Sequence, residues 1–87
     1  MTYTVFIKNS AKSDLKKIKN SPLRRQFEAI ISQLKEDPYF PNQSFEKLVP
    51  PALGKYSRRL NSQHRVVYKI LEKEKRVEIY AAWSHYE

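Results

Sequence analysis

A glutamate, several strand arginines and a histidine near the C-terminus are the residues of this sequence that can do chemistry. Glu46 lies in the stretch FEKL, and His85 precedes Tyr86 in the final stretch WSHYE. Histidine exchanges protons near neutrality because its ordinary pKa is about 6.5. Such a set can cleave RNA without a metal. A base takes the 2′-hydroxyl proton, cations stabilise the phosphorane, and an acid protonates the departing 5′-oxygen.

The cations for such a site are concentrated in YSRRLNSQHRVVY, residues 56–68, which contains Arg58, Arg59 and Arg65. The stretch otherwise has the pattern of two β-strands. Like charges directly opposed on neighbouring strands destabilise a sheet, so we expect an anion to lie against these arginines.

Each of these residues also has an ordinary structural explanation. A single glutamate in a loop is usually a solvated charge, and a terminal histidine beside a tyrosine can cap the edge of a sheet. The strand arginines can form ion pairs with the glutamates of the C-terminal third, Glu72, Glu74 and Glu78. Composition and spacing alone leave these alternatives open.

The composition limits the remaining possibilities. The 87 residues suffice for one small domain, which we expect to span residues 1–87, and the absence of cysteine excludes disulfides, thiolate catalysis and the usual zinc sites. We expect no metal and no cofactor, since the two histidines have no acidic cluster beside them and the one glycine excludes a phosphate-cradling loop.

A net charge of +8 predicts a polyanionic partner, either nucleic acid or an acidic protein segment or both. The sequence contains no signal peptide or membrane span, so we expect a cytoplasmic protein.

Two helices are predicted in the first half of the chain. The first has Ser10 as its N-cap and ends at Asn20, with apolar residues at helical spacing, namely Ala11, Leu15 and Ile18. The second has Ser21 as its cap and Pro22 in its first position, and Pro38 closes it. Its apolar face consists of Leu23, Phe27, Ile30, Ile31 and Leu34.

Four strands are predicted around these helices, at residues 2–8, 56–61, 64–71 and 76–83, and a long proline-rich loop covers residues 38–55. The order β-α-α-β-β-β predicts an α+β domain, with a helical hairpin packed on one face of a mainly antiparallel four-stranded sheet.

The loop at Asn61–Gln63 decides which residues share a face of this sheet. A three-residue loop sets Arg59 opposite Arg65, whereas a two-residue loop would oppose Leu60 to Arg65. We favour the three-residue loop because it makes one face of the sheet apolar, with Arg58 as its only charged residue. The other face is then concave and basic, and it consists of Ser57, Arg59, Arg65, Val67 and Lys69.

The tract YSRRLNSQHRVVYKI, together with HY after the last strand, resembles the YoeB (Txe) group of the RelE/ParE toxin superfamily. The resemblance covers essentially the whole chain, and the predicted element order agrees with that fold. It implies a ribosome-dependent, metal-independent endoribonuclease that cleaves mRNA in the A site of the 70S ribosome. The partners it implies are a cognate antitoxin of the YefM/Phd type and, through the antitoxin complex, operator DNA. A homodimer is compatible with the apolar C-terminal stretch VEIYAAWSHYE.

The resemblance also implies a role for each site residue. Glu46 would be the general base, and Arg65 would hold and stabilise the scissile phosphate. His85 would be the general acid, and Tyr86 would orient the substrate nucleotide. The candidate RNA-binding residues are Arg59, Lys47 and Lys55.

Two other function classes remain open from the sequence. One is a non-catalytic module whose basic face binds an antitoxin or operator DNA. The other is a ParE-like inhibitor of DNA gyrase, which has the same fold. Neither function needs a matched acid and base, so Glu46, Arg65, His85 and Tyr86 favour the nuclease.

Overall fold

The computed structural model describes residues 2–48, 54–61 and 64–84, with residues 83 and 84 described by their backbone only. Its helices and strands follow the predicted order, with one additional strand in the region predicted as a loop. The elements are β1 (Thr4–Ile7), α1 (Asn9–Lys19), α2 (Arg24–Glu36), β2 (Glu46–Lys47), β3 (Lys55–Arg59), β4 (Arg65–Leu71) and β5 (Arg76–Ser84).

The strands form one five-stranded sheet in the order β1-β5-β4-β3-β2. β1 runs parallel to β5, and the other pairs are antiparallel. The α+β architecture is therefore confirmed, but the predicted number of four strands is one too few. β2 was missed because it is only two residues long and lies in a proline-rich stretch that shows no strand periodicity.

Both helices begin differently from the sequence prediction. Lys8, in extended conformation, occupies the N-cap of α1, and the Ser10 hydroxyl donates instead to the Tyr80 carbonyl at 2.8 Å. The Ser21 hydroxyl accepts from the Leu23 N–H at 3.2 Å and so stabilises a turn, after which α2 begins at Arg24. The predicted cap of α1 is therefore wrong, because the Ser10 hydroxyl donates elsewhere. The Ser21 hydroxyl does accept from the N–H two residues on, as an N-cap does, but α2 begins later than predicted and Leu23 occupies its N-cap. No helix within the described ranges is long and apolar enough to span a membrane.

The helices and the sheet share one apolar core. Each helix contributes two buried residues, Ala11 and Ile18 from α1 and Ile30 and Leu34 from α2. The sheet contributes Leu60, Val66, Tyr68, Val77, Ile79 and Ala82, all at most 4% exposed. Fully burying a large apolar side chain stabilises the fold by about 1.5–3 kcal/mol. Because strand side chains alternate, this core assigns the intervening residues to the opposite face of the sheet.

We call that opposite face the helix-free face; in β3 and β4 it consists of Lys55, Ser57, Arg59, Arg65, Val67 and Lys69. The register pairs Arg59 with Arg65, as the three-residue loop predicts. The centre of this face is buried. Ser57 and Val67 are 1% and 2% exposed, and they are the short side chains among long cations.

Candidate active site

Glu46 and Arg65 form an ion pair on the helix-free face. Glu46 pairs with Ser57 of β3, so its side chain is on the same face as that of Arg65, two strands away. Two strand spacings are roughly 10 Å, a distance that the two long side chains span together. The Arg65 Nη1 lies 3.2 Å from the Glu46 Oε1, with exposed side-chain fractions of 26% and 59% respectively. A carboxylate and a guanidinium thus lie within hydrogen-bond distance at an accessible position.

Arg59 is the second cation at this position. It is directly opposite Arg65 in the register, and its side chain is exposed. Its backbone N–H donates to the Gln43 carbonyl at 2.9 Å, which fixes the strand to the preceding loop. Among the residues that the structure describes, no carboxylate lies within 4.0 Å of its guanidinium. With two cations and one carboxylate among the described residues, this part of the face has an excess of positive charge.

Arg58, which the sequence placed unexpectedly on the apolar face, is fully buried and holds the loop that precedes Glu46. Its guanidinium donates to the Tyr68 hydroxyl at 3.0 Å, and its other acceptors among the described residues belong to the loop. These are the carbonyl oxygens of Pro38 (3.0 Å), Phe40 (2.9 Å) and Asn42 (3.0 Å) and the side-chain oxygens of Asn42 (2.6 Å) and Gln43 (3.2 Å). A buried cation needs such acceptors, since an unsatisfied one is very costly. Arg58 is therefore a structural residue that fixes the loop, and nothing in the hydrophobic pattern indicates this role.

We expect Arg58→Met to lower the free energy of unfolding by about 3–5 kcal/mol, because it leaves several buried oxygens without donors. Equilibrium urea unfolding measures this loss. Arg59→Ala is the matched control, since it removes the neighbouring exposed guanidinium and should change stability by no more than about 0.5 kcal/mol. Equal effects of the two substitutions would show that Arg58 does not hold the loop.

The loop is held at its start by a second polar cluster around Glu72, in the 3₁₀ turn between β4 and β5. The Glu72 carboxylate accepts hydrogen bonds from the hydroxyls of Tyr39 (2.9 Å) and Tyr3 (3.0 Å) and pairs with Lys75. The hydrogen bond from Lys75, followed by those from the two tyrosines, lowers the pKa of Glu72. Burial and then the bond to Glu72 raise the pKa of Tyr39 far above its ordinary value. The cluster connects the loop to β1 and to the β4–β5 turn.

Aromatic packing fixes the residue immediately before Glu46. The Phe45 ring stacks on Tyr56 with centroids 5.5 Å apart, and Tyr56 stacks on Tyr68 at 6.0 Å. The guanidinium of Arg58 lies 5.0 Å from the Phe45 ring centroid. Burial raises the pKa of the Tyr68 hydroxyl to about 12. Glu46 thus follows a residue that is packed against the core.

The other predicted site residues do not all lie beside Glu46 and Arg65. Lys55 is on the helix-free face, four residues before Arg59, whereas Lys47 pairs with Tyr56 and is on the opposite side of β2 from Glu46. His85 and Tyr86 lie outside the described residues. The last described residue of β5, Ser84, has Arg65 as its register partner. Within the part of the chain that the structure describes, no group of His, Cys, Asp and Glu could hold a metal ion.

The sequence matches one protein family along nearly its entire length. The model of the YoeB-like toxins of bacterial type II toxin-antitoxin systems matches residues 6–86. No curated protein sequence is similar enough to count as a match.

Several solved structures have the same fold at low sequence identity. A YoeB/ParE toxin from Agrobacterium tumefaciens superposes with a TM-score of 0.84 at 22% identity, covering 95% of this chain and 99% of that chain. The YoeB dimer from Staphylococcus aureus gives a TM-score of 0.82 at 21% identity, covering 99% and 100%. The YoeB toxin in a heterotetrameric YoeB-YefM complex from the same species gives a TM-score of 0.79 at 21% identity, again covering 99% and 100%. The fold of this chain is therefore that of these toxins.

Proposed function

Because this chain belongs to the family of YoeB-like toxins of bacterial type II toxin–antitoxin systems, we propose that it is a ribosome-dependent endoribonuclease. In this proposal it acts in the cytoplasm, cleaves mRNA in the ribosomal A site and thereby inhibits translation. The observation that carries the proposal is the Glu46–Arg65 pair, with 3.2 Å between carboxylate and guanidinium at an accessible position. A base beside a phosphate-binding cation is what cleavage through the 2′-hydroxyl requires.

The ion pair is the resting state of the site in this mechanism. An exposed pair of this kind contributes only about 0–1 kcal/mol, so a phosphate displaces Glu46 from Arg65 at little cost. The guanidinium fork then binds two phosphate oxygens, and Arg59 adds a second positive charge. Glu46, released beside the bound nucleotide, accepts the 2′-hydroxyl proton. The resting contact thus keeps the base and the cation together until RNA arrives.

The remaining steps use the C-terminal residues. His85, which follows Ser84 in the sequence, is the proposed general acid and protonates the departing 5′-oxygen. Tyr86 orients the substrate nucleotide. Lys55 and Arg59 bind the RNA backbone, and Lys47 is an RNA contact at the edge of β2. The Ser84–Arg65 register supports this assignment, because the described end of β5 is beside the phosphate-binding arginine.

The proposed protein partners follow from the charge of the chain and from its relatives. A YefM/Phd-type antitoxin, with an acidic segment against Arg59 and Arg65, would neutralise the toxin and link it to operator DNA. The heterotetrameric YoeB-YefM complex of Staphylococcus aureus supports an antitoxin partner, and the YoeB dimer of that species supports a homodimer. The net charge of +8 supports both an acidic antitoxin and the ribosome with its mRNA.

Glu46→Gln tests the proposed base. We expect it to lower the single-turnover cleavage rate of ribosome-bound mRNA by about 10²–10⁴, because an amide cannot take the 2′-hydroxyl proton. Binding of uncleavable RNA should not weaken, since the variant loses a negative charge beside Arg65. Glu28→Gln is the matched control: Glu28 is also exposed and lies 3.2 Å from Arg24 on α2. Cleavage at the wild-type rate by Glu46→Gln would mean that another group is the base.

A further inference from the structure

A second group of cations and aromatic rings lies on the helix-free face, towards β1 and away from Glu46. We call it the basic–aromatic patch; it consists of Phe6, Lys8, Lys55, Lys69, Arg76 and Tyr80, together with the carboxylate of Glu78. The register aligns Lys55, Lys69, Glu78 and Phe6 across four adjacent strands. Since Val77 and Ile79 are buried in the core, Glu78 and Tyr80 are on the other face with this row.

The charges of the patch are unbalanced. Glu78 is its one carboxylate among the residues described, and it has three partners: Lys8 at 4.0 Å, Arg76 at 3.2 Å and the Tyr80 hydroxyl at 3.3 Å. Lys55 and Lys69 are directly opposed in the register. Neither has a carboxylate within 4.0 Å in the described ranges. Such a like-charged pair destabilises the sheet unless an anion lies against it.

The aromatic rings of the patch are associated with cations instead of being buried in the core. The Nζ atoms of Lys55 and Lys8 lie 5.0 and 5.8 Å from the Tyr80 ring centroid. The Arg76 guanidinium lies 5.1 Å from the ring centroid of Phe6, which is 45% exposed. Lysine is a flexible, strongly hydrated cation, so it holds such a position weakly. An incoming base can displace it from the ring while the ammonium group moves to a phosphate.

The geometry points to a nucleotide-binding subsite for single-stranded RNA at the basic–aromatic patch. A base stacks on the Tyr80 ring, and Lys55 binds a flanking phosphate. Lys55 and Arg59 are four residues apart on one face of β3, roughly 13 Å, so one RNA strand can reach both the patch and the cleavage site. The inference rests on the proposed ribonuclease function and adds the site that binds nucleotides next to the scissile one.

RNA fits the patch better than an acidic peptide does. Alternating cations and aromatic rings on an open sheet surface are the arrangement by which proteins bind single-stranded nucleic acid, because every base has a stacking face. An acidic peptide would use the lysines but would gain little from the ring. Removal of the Tyr80 ring should therefore weaken the binding of RNA but not that of an acidic peptide.

The test measures binding of a fluorescent six-nucleotide RNA with 2′-O-methyl riboses, which cannot be cleaved, by anisotropy over a range of salt concentrations. Tyr80→Leu should weaken binding between about fivefold and a hundredfold, whereas Tyr80→Phe, which keeps the ring, should stay within about twofold. Lys55→Ala should reduce the slope of log K against log salt by about 0.7, the loss of one phosphate contact. Lys73→Ala, in the exposed 3₁₀ turn, should leave affinity and slope unchanged. Hexaglutamate, the acidic-peptide probe, should bind wild type and Tyr80→Leu equally.

Several results would overturn the subsite: no binding of the oligonucleotide by the wild-type protein, unchanged affinity of Tyr80→Leu, or equal losses for Tyr80→Leu and Tyr80→Phe. A loss of hexaglutamate binding as large as the loss of RNA binding would also overturn it. A different result would show that the proposed ribonuclease function is wrong while the subsite is right. In that case RNA binding depends on Tyr80 as expected, but the wild-type protein does not cleave ribosome-bound mRNA.

Discussion

We expect messages bound to 70S ribosomes to be cleaved at least about 10³-fold faster than the same messages free in solution, because the ribosome orients the reacting groups. The side chain of Glu46 is 59% exposed where it meets Arg65 on the helix-free face. In the proposed mechanism such a site binds a phosphate, but it does not force a flexible strand into the in-line geometry that attack by the 2′-oxygen requires. An A-site codon held in that geometry removes the orientational cost, and this effect can reach about 7–11 kcal/mol.

The comparison uses single-turnover rates on one message, with and without ribosomes, at the same toxin concentration. Glu46→Gln provides the background rate in both arms, so that contaminating nucleases are subtracted. Equal rates in the two arms would mean that the protein is fully active without ribosomes, and the proposed ribosome dependence would be wrong.

Removal of either the proposed acid or the proposed phosphate-binding arginine is expected to slow cleavage at least about a hundredfold while the fold remains intact. His85→Ala should reduce the rate by about 10²–10⁴, the usual contribution of a positioned proton donor. Arg65→Ala should reduce it by about 10²–10³, as loss of one group that stabilises the transition-state charge does. Single-turnover rates on ribosomes measure both effects.

Lys73→Ala is the control for the loss of one positive charge, and circular dichroism establishes that each variant is folded. The pH profile separates the two roles. Loss of the acid in His85→Ala should remove the limb of the rate profile that reports a protonated group, whereas Arg65→Ala should lower the rate at every pH. Wild-type cleavage by folded His85→Ala would exclude the proposed acid.

The sequence predicted the fold wherever hydrophobic periodicity is strong. Both helices and four of the strands follow from residues that alternate or recur at helical spacing, and the Arg59–Arg65 register follows from the requirement for one apolar face. The observed helix starts differ from the predicted ones because a serine hydroxyl near a helix end has several possible hydrogen-bond partners. Ser10 and Ser21 form bonds to Tyr80 and Leu23 that depend on the tertiary structure and on a local turn.

The positioning of Glu46 could not be predicted, because it depends on contacts between residues far apart in the chain. Arg58 is one of three arginines in a short tract, and only the folded structure distinguishes it, by complete burial against the loop before Glu46. β2 likewise exists because the loop is held against β3, and no pattern in its own two residues indicates a strand. The basic–aromatic patch also combines β1, β3, β4 and β5, so no single stretch of sequence reveals it.

The central claim, that Glu46 activates a 2′-hydroxyl for attack on a phosphate bound by Arg65, is tested most directly with a modified message. One 2′-deoxyribose replaces the ribose on the 5′ side of the scissile phosphate in the A-site codon, and the message is presented on 70S ribosomes. We predict that the all-ribose message gives products with 5′-hydroxyl ends, and that the deoxy-substituted message is not cut at that position. Cleavage of the deoxy-substituted message at the same phosphate would contradict the mechanism, because no 2′-oxygen is then available to attack.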